Sequence, residues 1–481
     1  MRDLIHRSLN LAQVRGASYA DVRVVERQTQ SIGVKNGIVE SLADDGTLGF
    51  GVRVIVNDAW GFSSSNRLTA EEVERVTAEA IAIARASALV KRKAAQIGPP
   101  ETHTGVYRTP VEIDPFSVSP EDKIGLLLAA DAAMRAVPGI KVSEGNLVCL
   151  RERKTFGSTE GSFIEQEIIE TGGGIKATAV AEREVQTRSY PNSFGRDQAC
   201  RGWEFILAQD FAGAAPRIAE EAVALLSADQ CPAGVATIIL DATQTALQIH
   251  ESCGHPIELD RVFGSEASYA GTSFLTTDKL GVFRYGSDIV NLVADATIPG
   301  GLGTFGWDDE GVPAQRTPIV TNGLFVGYLT SRETSQWLGQ ERSNGAMRAS
   351  GWNRIPLIRM TNVGLEPGAW SLAEMIADTD AGIYMQTNRS WSIDNLRLNF
   401  QFGAEIAWEI VKGKRGRMLK NATYTGVTPH FWRSVDAIGN RDEWAVWGTP
   451  NCGKGEPSQV AHTGHPAAPI RVRNVQVGVM K

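Results

Sequence analysis

The apolar positions of this chain change period along its length. Near the start, Ile5, Leu9 and Ala12 recur at helical spacing, which predicts a short amphipathic helix over residues 4–14. Segments 21–25 and 38–42 read as strands. The run from Gly46 then passes from glycines into β-branched residues, as a turn feeding a sheet strand does. A longer helix opens at Thr69, with Thr69 and Glu72 as a capping box and Val73, Val76, Ala80 and Ile83 along one face. The next opens at Ser119, with Pro120 in its first position, and runs to Val137. Between them, Pro99, Pro100, Pro110 and Pro115 mark residues 91–118 as an extended connector. Strand patterns return over 140–190. A helix is expected over 203–226, kinked or divided at Pro216.

Beyond the turn at 227–234 the pattern differs. Nine of the eleven tryptophans lie after residue 300, glycine turns recur and helical spacing becomes scarce. Residues 396–402 alternate strictly, as a half-buried strand does. Residues 404–411 and 418–424 flank a turn at 412–416 as a hairpin. The predicted fold class is therefore α+β. An N-terminal α/β domain over 1–230 precedes a mostly-β, barrel- or sandwich-like domain over 231–481.

Composition removes several function classes. Hydrophobic residues make up 42% of the 481 and charged residues 21%, enough apolar material for real cores. A net charge of −7 without a basic stripe argues against a nucleic-acid partner. No apolar run has bilayer length and no signal-peptide core follows Met1, so no membrane association and a cytoplasmic location are expected. Five scattered cysteines do not make a disulfide framework.

The chemistry concentrates in His250-Glu-Ser-Cys-Gly-His-Pro. Residues 235–240 form a short apolar strand, Asp241 caps a helix with Gln244 three residues on, and Ala242, Ala246, Ile249 and Cys253 fall at helical spacing. Two histidines beside a glutamate are the parts of a hydrolytic zinc site, since imidazoles suit Zn²⁺ and a carboxylate can take a proton from a bound water. Histidines four apart share a helix face, whereas His250 and His255 are five apart, roughly 140° around a regular helix. Gly254 and Pro256 suggest two remedies. Either the helix ends at Gly254 and His255 curls back, or a wide π-type turn absorbs the extra residue. Such a site needs a third protein ligand, and the candidates are Cys452, Cys253 and the local pair His462 and His465.

The segment 250–256 resembles the HExxxH signature of the TldD/PmbA family of zinc metallopeptidases. Three further stretches are similar to that family: 264–271 (Gly-Ser-Glu-Ala-Ser-Tyr-Ala-Gly), 308–317 and 452–459 (Cys-Gly-Lys-Gly-Glu-Pro-Ser-Gln). The resemblance implies one zinc ion held by His250, His255 and Cys452, with Glu251 as the catalytic acid/base. His462, His465 and Tyr269 become candidate lining residues. It further implies hydrolysis of unfolded or extended peptides, of leader-peptide or antitoxin type. The active form would be a dimer, either a homodimer or a heterodimer with a motif-less TldE/PmbA-type subunit. The alternative is a non-catalytic peptide-binding or assembly subunit with a structural zinc, which a closed four-ligand site would favour.

Overall fold

A computed structural model describes residues 1–268 and 270–478. Four long antiparallel strands dominate the first half: Tyr19–Lys35, Ile38–Val56, Ile140–Ser158 and Phe163–Ala181. Ala59–Ser65 extends one edge, while Glu184–Tyr190 and Asp197–Ala199 pair with the 163–181 strand near the other. The proline-rich connector contributes a strand of its own, Thr104–Arg108, which runs parallel to Phe163–Ala181.

Helices cover this sheet with the faces the apolar spacing anticipates. Ile5, Leu9 and Ala12 of Arg2–Val14 pack with Val76 and Ala80 of Ala70–Ala88 against Val22, Val52 and Val54. Ile83 points to solvent instead, and Ile81 and Ala84 take the inward places. Thr69 accepts the Glu72 N–H, but the Glu72 carboxylate pairs with Arg75, so only half of the capping box forms. The expected 203–226 helix divides at Asp210, not at Pro216. Trp203–Ala208 ends there, and Asp210, at φ 44°, caps Phe211–Ser227 by accepting the Gly213 N–H. Pro216 is accommodated within the second helix.

The second half closes a barrel. Gly234–Leu240 lies between Ile470–Val477 and Ala381–Ile393. Ala381–Ile393 pairs with Asn399–Val411, that strand with Thr423–Val427, and the last with 470–477, so five strands form a ring. Its interior is apolar: Ile238, Leu240, Met385, Phe402, Tyr424 and Val472 are buried together. The alternating 396–402 segment enters the strand only at Asn399. Leu396 and Arg397 belong to the preceding turn, with Arg397 at φ 64°. The 412–416 turn is tighter than expected, and Lys412-Gly413 alone joins the strands.

From the barrel strand Gly234–Leu240 the chain passes directly into the helix Ala242–Ile249. Asp241 caps it by accepting the Gln244 N–H, while the Gln244 side chain turns to the Tyr424 hydroxyl. A hairpin, Ala445–Lys454 with Gln459–Ala467, approaches the end of that helix. No helix among the described residues is long and apolar enough to cross a membrane.

Candidate metal centre

The helix does not stop at His250. It widens into one π turn over His250–Gly254, closed by the His255 N–H donating to the His250 carbonyl at 3.2 Å. His255 keeps helical backbone angles although Pro256 follows it. Of the two remedies the spacing allowed, the wide turn is the one found. It turns the five-residue separation to advantage, because the two imidazoles lie 4.9 Å apart, edge to face. Gly254 sits where a Cβ would lie 2.0 Å from the sulfur of buried Met360, so the turn packs closely only with glycine there.

Cys452 arrives from the hairpin. Its Sγ lies 3.6 Å from His255 Nε2. Donor atoms of His250, His255 and Cys452 all lie within 4.8 Å of one another, and all three residues are buried. Hydrogen bonds set which nitrogens face inward. The His255 Nδ1–H donates to Glu258 at 3.1 Å, which leaves Nε2 unprotonated toward Cys452. Glu258 is itself ringed by Lys454, Arg261 and Arg359 at 3.5–3.8 Å. On the other side, His465 Nδ1–H donates to the Val363 carbonyl at 2.9 Å. Its Nε2 is then an acceptor and takes the His250 Nδ1–H at 2.7 Å, which frees His250 Nε2.

Charge states follow from burial. Burial lowers the basicity of His250, His255 and His465, so all three rings are neutral at pH 7. Burial alone would raise the Cys452 thiol. The neighbouring Arg359 guanidinium works against that rise. Two neutral imidazoles and a thiol within reach of one point suit Zn²⁺, and the partners on the far nitrogens fix ring orientation.

Glu251 is buried beside this group. Arg397 Nη1 donates to its Oε2, and Oε1 has no partner among the described residues. The centre opens into a cleft of about 180 Å³ lined by Thr243, Leu247, Phe194, Arg196, Trp391 and Asn451, among others.

Other candidates lie elsewhere. Cys253 faces the core beside Tyr285, its thiol pushed up to about 12 by burial. His462 points away from the centre and pairs with Glu170 at 2.6 Å. Tyr269 lies outside the described residues. Spacing did not single out Glu258, Arg397, Arg196 or Phe194. Glu258, three residues after His255, carried a usable signal, because that spacing lets a carboxylate reach back to a helical histidine.

A buried imidazole and thiol donor set beside a carboxylate, at the end of a helix leaving a β-barrel, is of the kind that metal-dependent hydrolases use. Comparison with known proteins narrows this class. Family models described as PmbA/TldA metallopeptidase domain 1, central domain and C-terminal domain match residues 20–84, 113–228 and 233–479. A metalloprotease of Methanocaldococcus jannaschii is 31% identical, over 91% of this chain and 92% of its own. A zinc metalloprotease TldD homolog of Saccharolobus solfataricus is 24% identical, over 97% and 98%. The solved structure of TldE from Thermococcus kodakarensis superposes over 100% of both chains with a TM-score of 0.77 at 17% identity, a likeness of fold. The chain belongs to the TldD/PmbA family of metallopeptidases.

Proposed function

We propose that the protein is a zinc-dependent peptidase in which His250, His255 and Cys452 hold the ion and Glu251 is the acid/base. The observation that carries this is the convergence of an imidazole nitrogen from each of His250 and His255 with the Cys452 thiol, while Nδ1 of each ring is hydrogen-bonded to a buried partner. A zinc ion bound there would supply Lewis acidity toward a water molecule and the scissile carbonyl.

The chain's own residues supply the rest. Glu251 Oε1, without a partner, takes the proton of the attacking water and returns it to the leaving amine, while Arg397 anchors Oε2. His465 and Glu258 hold the imidazoles in the tautomer that presents Nε2. Only three candidate donors converge among the described residues, which favours a site with an open position over a closed structural one.

The substrates under this proposal are unfolded or extended peptides, of leader-peptide or antitoxin type. The working assembly is a cytoplasmic dimer, of two copies or with a motif-less TldE/PmbA-type subunit. Glu251→Gln tests the mechanism, with a pool of unstructured peptides as substrate, with and without chelator. Zinc content should be retained and turnover should fall by about 10²–10⁴-fold. Unchanged turnover in zinc-loaded Glu251→Gln protein overturns the assignment.

A further inference from the structure

We propose that Arg196, seated between Phe194 and the metal cleft, is a carboxylate-binding subsite that grips a bound peptide by a carboxylate near the bond to be cut. The proposal rests on the peptidase function above and adds a substrate preference to it.

Arg196 lines the same cleft as His250, Glu251, His255 and Cys452. It is half-buried, yet among the described residues it makes no hydrogen bond and no ion pair. Its guanidinium lies against the Phe194 ring, whose centroid is 5.3 Å from the guanidinium carbon. The other charged groups of the cleft are already engaged. Glu251 pairs with Arg397, and the histidines and Cys452 satisfy one another and their buried partners. Asp197, next in the chain, does not neutralise Arg196. Its carboxylate turns inward to accept the Gly448 and Gln198 N–H groups, and burial pushes it up to about 7. Burial also lowers the basicity of Arg196, and no acidic neighbour offsets that. A partly desolvated guanidinium without a counter-ion carries a cost that an incoming carboxylate would relieve, in the bidentate geometry that arginine favours.

The backbone around Arg196 is held in a costly conformation that presents the ring beneath it. Phe194 sits at φ 62°, ψ 17°, a left-handed geometry that side-chain-bearing residues avoid. Asn192 accepts the Ser193 N–H at 2.7 Å, and Asn146 donates to the Gly195 carbonyl at 2.7 Å, so the turn is pinned on both sides. As a result the Phe194 ring stands 43% exposed and meets Trp391, 44% exposed, at 5.9 Å and 73°. Two exposed aromatic rings from opposite halves of the chain, beside one unpaired cation, make an apolar wall with a carboxylate anchor. That carboxylate can come from the C-terminus of the peptide or from an acidic side chain.

The test is peptide binding to zinc-loaded Glu251→Gln protein, which keeps ligands intact. Four dye-labelled peptides of one sequence are compared: a Glu or a Gln at the same internal position, each with a free or an amidated C-terminus. At least one acid form should bind about tenfold or more tightly than its neutral counterpart. Adding Arg196→Gln should remove that preference while leaving neutral-peptide affinity, zinc content and melting temperature unchanged, and Arg196→Lys should restore part of it. Whichever acid form carries the preference identifies the source. Equal binding of acid and neutral forms, or no binding of any of the four, overturns the subsite. A preference that survives Arg196→Gln belongs to the zinc and overturns it too. Carboxylate-dependent binding without cleavage by the Glu251-intact protein would sink the peptidase function and leave the subsite. Cleavage without carboxylate preference would do the reverse.

Discussion

His250 and His255 are five residues apart and meet, whereas His462 and His465 are three apart and part company. In the first pair the π turn widens the helix by one residue, so a separation that diverges on a regular helix converges. In the second pair the backbone is a strand, where side chains alternate and an odd separation puts them on opposite faces. His465 therefore reaches His250, on the face that also carries Cys452, and His462 reaches Glu170 in the first half of the chain. Residue spacing acquires meaning only once the local backbone period is known. Identical side chains thus come to form a candidate donor set, orient one of its rings or tie two regions together.

The contrast can be broken at several points. His255→Ala removes a donor outright, and zinc affinity should fall by at least about 100-fold, measured as metal retained after competition with a chelator. Full retention would show that the pair does not share a metal. His465→Ala removes only the acceptor that sets the His250 tautomer. A loss of about 10–100-fold in zinc affinity is expected, with the donor set intact. An unchanged affinity would remove the orienting role. Gly254→Ala tests the turn itself. The added methyl would drive into Met360, and a stability loss of about 1–3 kcal/mol is expected in denaturant unfolding. A neutral effect would mean that the wide turn tolerates a side chain and that its geometry is not held by this packing.

Much of this was legible in the sequence because it rested on local rules. Helical spacing located the helices over Arg2–Val14, Ala70–Ala88 and Pro120–Arg135, and the misfit of His250 with His255 foretold an irregular helix end. Local rules failed where tertiary partners compete for the same groups. Glu72 and Gln244 complete no capping box because Arg75 and Tyr424 engage their side chains. The 203–226 helix breaks at Asp210, whose left-handed cap ends one helix and starts another, an option that composition does not reveal. Among the site's neighbours, Arg397 comes from a barrel turn 146 residues from Glu251, and Arg196 has no ion-pair partner among the described residues. Long-range pairing and the lack of it are properties of the folded chain, with no trace in periodicity.

His462→Ala has the smallest expected effect and is the sharpest test of the two-face argument. It removes the 2.6 Å bond to Glu170 but keeps the backbone, so the His462 carbonyl can still accept from Arg348. Gln198 Nε2 also donates to the same Glu170 oxygen at 2.6 Å, so the carboxylate is not left alone. The stability loss should stay near 1 kcal/mol, since one hydrogen bond is lost at a site where the His462 side chain is 23% exposed. Zinc affinity should not change, because among the described residues the His462 side chain bonds to Glu170 and to none of His250, His255 and Cys452. If His462→Ala instead weakens zinc as much as His465→Ala does, the hairpin transmits strain from one face to the other. The two histidines would then act as one unit, and strand alternation would not be enough to separate their roles.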